Sequence, residues 1–228
     1  LKYEEEVVEP TYQALKAELV DKDIFDPIAI YAYYPCISHD NKLYIFDRKY
    51  LFNTLEEAKN VPPLSEAIKV LEFPRQKRKP FRCIADFFAN DRLDVVAFTL
   101  ASAGLKITDY ERGLYNKGEF TKYYQVHGLG VELAEALAEV LHKQIRLDLD
   151  IVPKEGHTLN DVQMKQYVGC RYSPGYAACP DLAMNRDIFD LLNPEEFGIE
   201  LSETFQMHPE QTTCAIVVTH KEANYYNI

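Results

Sequence analysis

The sequence is short of positive charge: 25 Lys and Arg against 36 Asp and Glu give a formal net charge of -11 over 228 residues. Binding a nucleic-acid backbone takes clustered cations, so nucleic acid is excluded as the main partner. The one basic cluster, "PRQKRKPFR" at 74–82, is short and reads either as a solvated loop or as a docking patch for an acidic partner. Long hydrophobic runs are missing as well. The longest, "DVVAFTLASAG" from Asp94, falls far short of the roughly 20 residues that span a bilayer, and no signal peptide precedes it. No membrane partner is expected. There is no GxGxxG, no P-loop and no GxSxG, which removes the common phosphate-binding and nucleophile devices. Internal repeats and low-complexity linkers are absent too.

Cysteine is sparse and irregular. Five, at 36, 83, 170, 179 and 214, fit reduced thiols in a cytoplasmic protein better than a disulfide framework. Cys170, Cys179, His208 and His220 are separated by 9, 29 and 12 positions, which matches no zinc knuckle, so no metal site is expected.

What is present is an ordinary globular composition, 47% hydrophobic and 27% charged, at a length that suits one large domain or two small ones. The chain begins with Leu1 rather than Met, as a piece of a longer polypeptide would. From Glu4 to about Val20 the spacing predicts a helix, with Val8, Tyr12, Leu15 and Leu19 on one face. "IAIYAYYP" at 28–35 and "KLYIF" at 42–46 predict a hairpin closed by "CISHDN". Pro and Ser in "NVPPLSEAIKVL" signal a short helix ahead of the basic loop. "LDVVAFTL" predicts a further strand.

From Thr108 to about Arg146 the pattern is helical, with breaks expected at 113–118 and near Gly128 and Gly130. Leu133, Leu137, Leu141 and Ile145 form an i, i+4 core stripe, while Glu132, Glu135 and Glu139 share another, solvated face. Beyond "DLDIV" follow a short helix near Leu159 to Gln166, a loop, a helix at 184–192 and a terminal strand "CAIVVTH". Strands and helices without regular βαβ alternation predict an α+β fold with an antiparallel or mixed sheet.

The loop "CRYSPGYAACPD" at 170–181 carries the candidate chemistry. Pro174 and Gly175 favour a tight turn with accessible backbone amides. Arg171 can meet a carboxylate with two parallel hydrogen bonds, and Tyr172 and Tyr176 offer aromatic faces to a base or a cation. The plainer reading is a surface turn whose arginine pairs with a neighbouring carboxylate.

"RYSPGYAACPD" together with "LSETFQMHPEQTTCAIVVTHKEANYY", "CIADFF" and "LAEALAEVLHKQIR" resembles the activation domain of cobalamin-dependent methionine synthase. The likeness rests on R-x-x-x-G-Y, A-x-C-P and the late H-x-x-x-x-Y, and covers most of the chain from about residue 70. It implies one C-shaped α+β domain over residues 1–228, with a bent, largely antiparallel sheet and flanking helices, one of them long.

It also implies a function: S-adenosylmethionine binds here and supplies a methyl group, while flavodoxin or another reductant supplies an electron. Together they return inactive cob(II)alamin, held by a partner cobalamin-binding domain, to methylcobalamin. This is a methyltransferase half-reaction that does not make methionine by itself, and no side chain need act as acid or base. The runner-up is a docking module for a cobalamin protein that delivers no methyl group.

By resemblance Arg171 contacts S-adenosylmethionine, Gly175, Tyr176 and Ala178 give the turn and backbone contacts, Tyr225 is the second pocket tyrosine, and Glu135 faces the cobalamin. Two departures stand out. Lys165 replaces a carboxylate near the corrin, and an upstream aspartate that touches the ligand in relatives has no counterpart in a chain beginning "LKYEEEVVEP". Weak affinity for the free ligand is the expected consequence.

Overall fold

The computed structural model describes residues 2–151 and 167–228. Its frame is a six-stranded sheet that runs from the edge strand Lys69–Glu72 through Lys42–Ile45, Ile28–His39, Asp94–Ser102 and Thr212–Val218 to Cys170–Tyr172, every pairing antiparallel. Helix α1 (Glu9–Asp21) leads in, preceded by a π-helical stretch Glu4–Val8. Pro10 lacks the N–H that would return a bond to Glu6, and the backbone widens just ahead of it. Of the four residues expected to share the buried face, only Leu15 and Leu19 are buried, while Val8 and Tyr12 stay exposed.

Strand β1 (Ile28–His39) is longer than the sequence suggests, because "CISH" continues it and only Asp40 and Asn41 turn the chain. Asp40 takes φ 54°, as a two-residue hairpin requires. A one-turn helix α2 (Leu55–Ala58) follows β2 (Lys42–Ile45). β1 pairs with β2 only over Cys36–His39 and with β4 (Asp94–Ser102) over Ile28–Cys36. That offset bends the ladder, since each half of β1 has a different neighbour. The short helix expected from "NVPPLSEAIKVL" is a single 3-10 turn, Leu64–Glu66, and the apolar residues after it form the edge strand β3 (Lys69–Glu72). Three residues between two prolines and a strand are too few to nucleate an α-helix.

Helices α3 (Leu105–Asn116) and α4 (Phe120–Asp148) divide at Lys117–Glu119, where Gly118 has φ 78°. The second expected break does not occur, and α4 runs straight through Gly128 and Gly130. A Cβ at Gly130 would come within 2.9 Å of Ile107 and 3.0 Å of Gln211, so this glycine serves close packing rather than a bend. Asp148 to Ile151 close α4 and its terminal turn. The helix expected near Leu159 to Gln166, and Lys165 with it, lie outside the described residues. Beyond them come β5 (Cys170–Tyr172), α5 (Met184–Leu192), the two-residue strands β6 (Glu200–Leu201) and β7 (Met207–His208), and β8 (Thr212–Val218).

β4 is buried on both faces, which explains an apolar run interrupted only by Thr99 between Val95 and Ala101. Val96, Phe98 and Leu100 join the main core with Tyr34, Ile188, Phe189 and Ile216. Ala97 and Ala101 point the other way, toward Ile145, Ala138 and Leu141 of α4. Small residues there let the helix lie close to the sheet. No helix among the described residues is long and apolar enough to cross a membrane.

Candidate functional site

β5 adds the last strand by pairing with β8: Cys170 opposite Val218, Arg171 opposite Val217, Tyr172 opposite Ile216. Side chains alternate along a strand, so Cys170 and Tyr172 enter the main core and Arg171 faces the opposite side, where α4 lies. Arg171 Nη2 sits 2.8 Å from Glu139 Oε1 and 4.0 Å from Glu135 Oε2. Its side chain is only 11% exposed. Burial works against the guanidinium charge, but the bond to Glu139 and that residue's charge outweigh it and hold Arg171 above its usual pKa.

After Tyr172 the chain turns sharply. Gly175 has φ 88°, a value that favours glycine; its N–H donates to Cys179 O at 2.8 Å, and Cys179 N–H donates to Tyr176 O at 2.9 Å. This ties the loop back on itself and leaves Tyr176 70% exposed. The C-terminal segment closes the other side. Tyr172 Oη donates to Asn224 O at 2.8 Å, and the Tyr172 and Tyr225 rings meet edge-on at 6.1 Å. The basic stretch holds this segment from outside, with Gln76 donating to Asn227 O at 2.7 Å and Arg82 to Asn224 Oδ1 at 2.8 Å. Arg75 forks onto Asp86 at 2.6 and 2.7 Å, whereas Lys77, Arg78 and Lys79 are exposed.

Between these pieces lies a cavity of about 360 Å³. Arg171, Tyr176, Ala178, Tyr225 and Glu135 all line it, with Ser173, Thr213 and Tyr226 among their neighbours. Gly175 shapes the turn but does not reach the wall. A second cavity of about 380 Å³ adjoins it, sharing Glu135, Ser173, Tyr176 and Thr213 and running toward Asn185 and Phe205. Residues around 205–214, which line this second cavity, lie outside the site expected from the sequence.

Behind Arg171 is a polar cluster the sequence reading also missed. Tyr167 Oη donates toward both Glu139 oxygens at 3.2 Å, and Arg146 stacks on the Tyr167 ring 4.1 Å from its centroid. His142 is fully buried, and among the described residues neither of its ring nitrogens has a hydrogen-bond partner, nor do Nε and Nη1 of Arg146. Burial, helped by the charges of Arg146 and Arg171, pushes His142 down to about 2. Glu139, His142 and Arg146 stand at i, i+3 and i+7, a polar stripe at helical spacing that was legible beside the leucine stripe.

The five cysteines are buried free thiols; burial raises Cys179 and Cys214 to about 12. No group of three or more His, Cys, Asp or Glu side chains among the described residues is placed to hold a metal ion.

A family model described as the vitamin B12 dependent methionine synthase activation domain matches residues 4–228. The chain belongs to this family. Methionine synthase of Mycobacterium tuberculosis is 37% identical over 212 residues, 87% of this chain, and that of Mycobacterium leprae 36% over the same length. The chain spans 17% of the length of these curated relatives. A crystal structure of the MetH reactivation domain bound to AdoHcy superposes with a TM-score of 0.84 at 23% identity, covering 99% of this chain and 71% of that one. The α+β architecture expected from the sequence is thus the fold of a known activation domain.

Proposed function

We propose that this activation domain binds S-adenosylmethionine in the cavity beside Arg171 and presents its methyl group to a cobalamin-binding partner domain, reactivating a cobalamin-dependent methionine synthase. One observation carries the reading: the cavity gathers a cation, two exposed tyrosine rings and a carboxylate from three distant stretches of chain. Those groups complement the ligand. Arg171 retains guanidinium N–H donors beyond the one given to Glu139, enough for the amino-acid carboxylate. Tyr176 and Tyr225 offer faces to adenine or to the sulfonium. The backbone of Ala177 and Ala178 on the cavity wall is offered to the base.

The domain contributes binding and orientation. Cobalamin, carried by the partner, supplies the cobalt that takes the methyl group, with one electron from flavodoxin or another reductant. Glu135, 56% exposed at the cavity mouth, is assigned to the corrin side. The tests are calorimetric titration of the domain with S-adenosylmethionine and a methyl-transfer assay with a separately supplied cobalamin domain and a chemical reductant. Saturable binding with transfer is expected. Docking without transfer would reduce the domain to an interaction module.

A further inference from the structure

Glu139 does not line the cavity, yet it governs the charge there. Its carboxylate meets Arg171 from behind, on the side toward Tyr167. Nη1 of Arg171 makes only a long 3.5 Å contact to the Ala138 carbonyl, so the guanidinium keeps donors for a ligand while its charge is already balanced. Among the described residues the charged side chains on the wall are Arg171 and Glu135. Arg171 stands against two carboxylates, Glu139 at 2.8 Å and Glu135 at 4.0 Å, so the three groups together leave a net negative charge beside the cavity.

We infer that Glu139 is a specificity-determining residue: by neutralising Arg171 in place, it makes the cavity favour a sulfonium ligand over the corresponding thioether. S-adenosylmethionine carries a sulfonium and an ammonium against one carboxylate and is a net cation. S-adenosylhomocysteine, left when the methyl departs with the sulfur keeping the bond pair, has no net charge. A cavity tuned this way holds the donor and releases the spent product. Other charges nearby shift both affinities, but Coulomb energies add, so deleting the Glu139 charge lowers the preference for the cation whatever else surrounds it. The inference rests on the cavity being the S-adenosylmethionine site.

The experiment measures both ligands by calorimetry on wild type, Glu139→Gln and Arg171→Ala. Glutamine keeps the shape and an acceptor for Arg171 while removing the charge. The ratio of thioether to sulfonium dissociation constants is expected to fall about fivefold in Glu139→Gln. The ratio is also expected to depend less on ionic strength in Glu139→Gln than in wild type, a readout that a purely structural role for Glu139 would not move. A ratio that is the same in Glu139→Gln as in wild type, while Arg171→Ala weakens both ligands, overturns the inference and leaves the proposed function standing. Unchanged binding in Arg171→Ala overturns the proposed function itself, and this inference with it.

Discussion

On one face of the sheet Val96, Phe98 and Leu100 of β4 interlock with Tyr34, Ile188, Phe189 and Ile216, large side chains filling volume. On the other, Ala97 and Ala101 leave room for α4 to approach, with Ala138 as the matching small residue on the helix. The first face spends its positions on apolar bulk. The second gives bulk away, and the close approach brings the α4 glutamates within reach of an arginine on the edge strand. Stability and recognition are therefore separated by the alternation of one strand, which sends odd and even residues to different tasks.

The largest effect expected of this division is on stability alone. Phe98→Ala on the bulky face should cost about 3–5 kcal/mol in urea unfolding. Any S-adenosylmethionine affinity surviving in the folded fraction should be near that of wild type; a matching loss of intrinsic affinity would show that the two faces are not independent. Arg171→Ala is the converse case. Ligand affinity should drop by about 1.5–3 kcal/mol with the loss of a charge-assisted pair, and the unfolding midpoint should move far less than for Phe98→Ala.

Ala138→Leu tests the close approach that links the faces. Overpacking there should destabilise by about 1–3 kcal/mol, and by moving α4 off the sheet it should weaken ligand binding as well. Normal binding in a destabilised Ala138→Leu protein would mean the helix position is not what sets the glutamates against Arg171.

The smallest effect concerns acid. His142 is held neutral, its pKa pushed down to about 2 by burial and by the neighbouring guanidinium charges, from an ordinary 6.5. The unfolded chain takes up a proton there as pH falls through about 6.5 and the folded chain does not, so this contribution is intact above that pH and drains away progressively below it. His142→Phe should flatten that slope between about pH 7 and about pH 5. Thermal melts across the range check it, and an unaltered slope would assign acid sensitivity elsewhere.

Much of this could be read along the chain. The helix at 184–192, the leucine stripe of α4 and the apolar run of β4 follow from periodicity, because 3.6- and 2-residue repeats are local properties. Where the reading went astray, a local signal had a distant cause: Gly130 looked like a helix break but accommodates Ile107 and Gln211, residues far off in sequence. The same limit applies at the site. Arg171, Gly175 and Tyr176 carry local signals, while Ala178, Tyr225 and Glu135 enter through the family resemblance; all but Gly175 line one cavity.

The sequence by itself determined the elements, the turn and the donor and acceptor groups, since these depend on neighbours a few residues apart. Only the tertiary structure decided which carboxylate Arg171 meets. All three helix glutamates had the same local credentials. The pairing of Arg171 with Val217 fixes which way the guanidinium points, and the depth at which α4 rests on Ala97 and Ala101 fixes which glutamate it finds. Glu139 took that place because strand register and helix packing, set by residues far apart in the chain, brought its carboxylate to 2.8 Å.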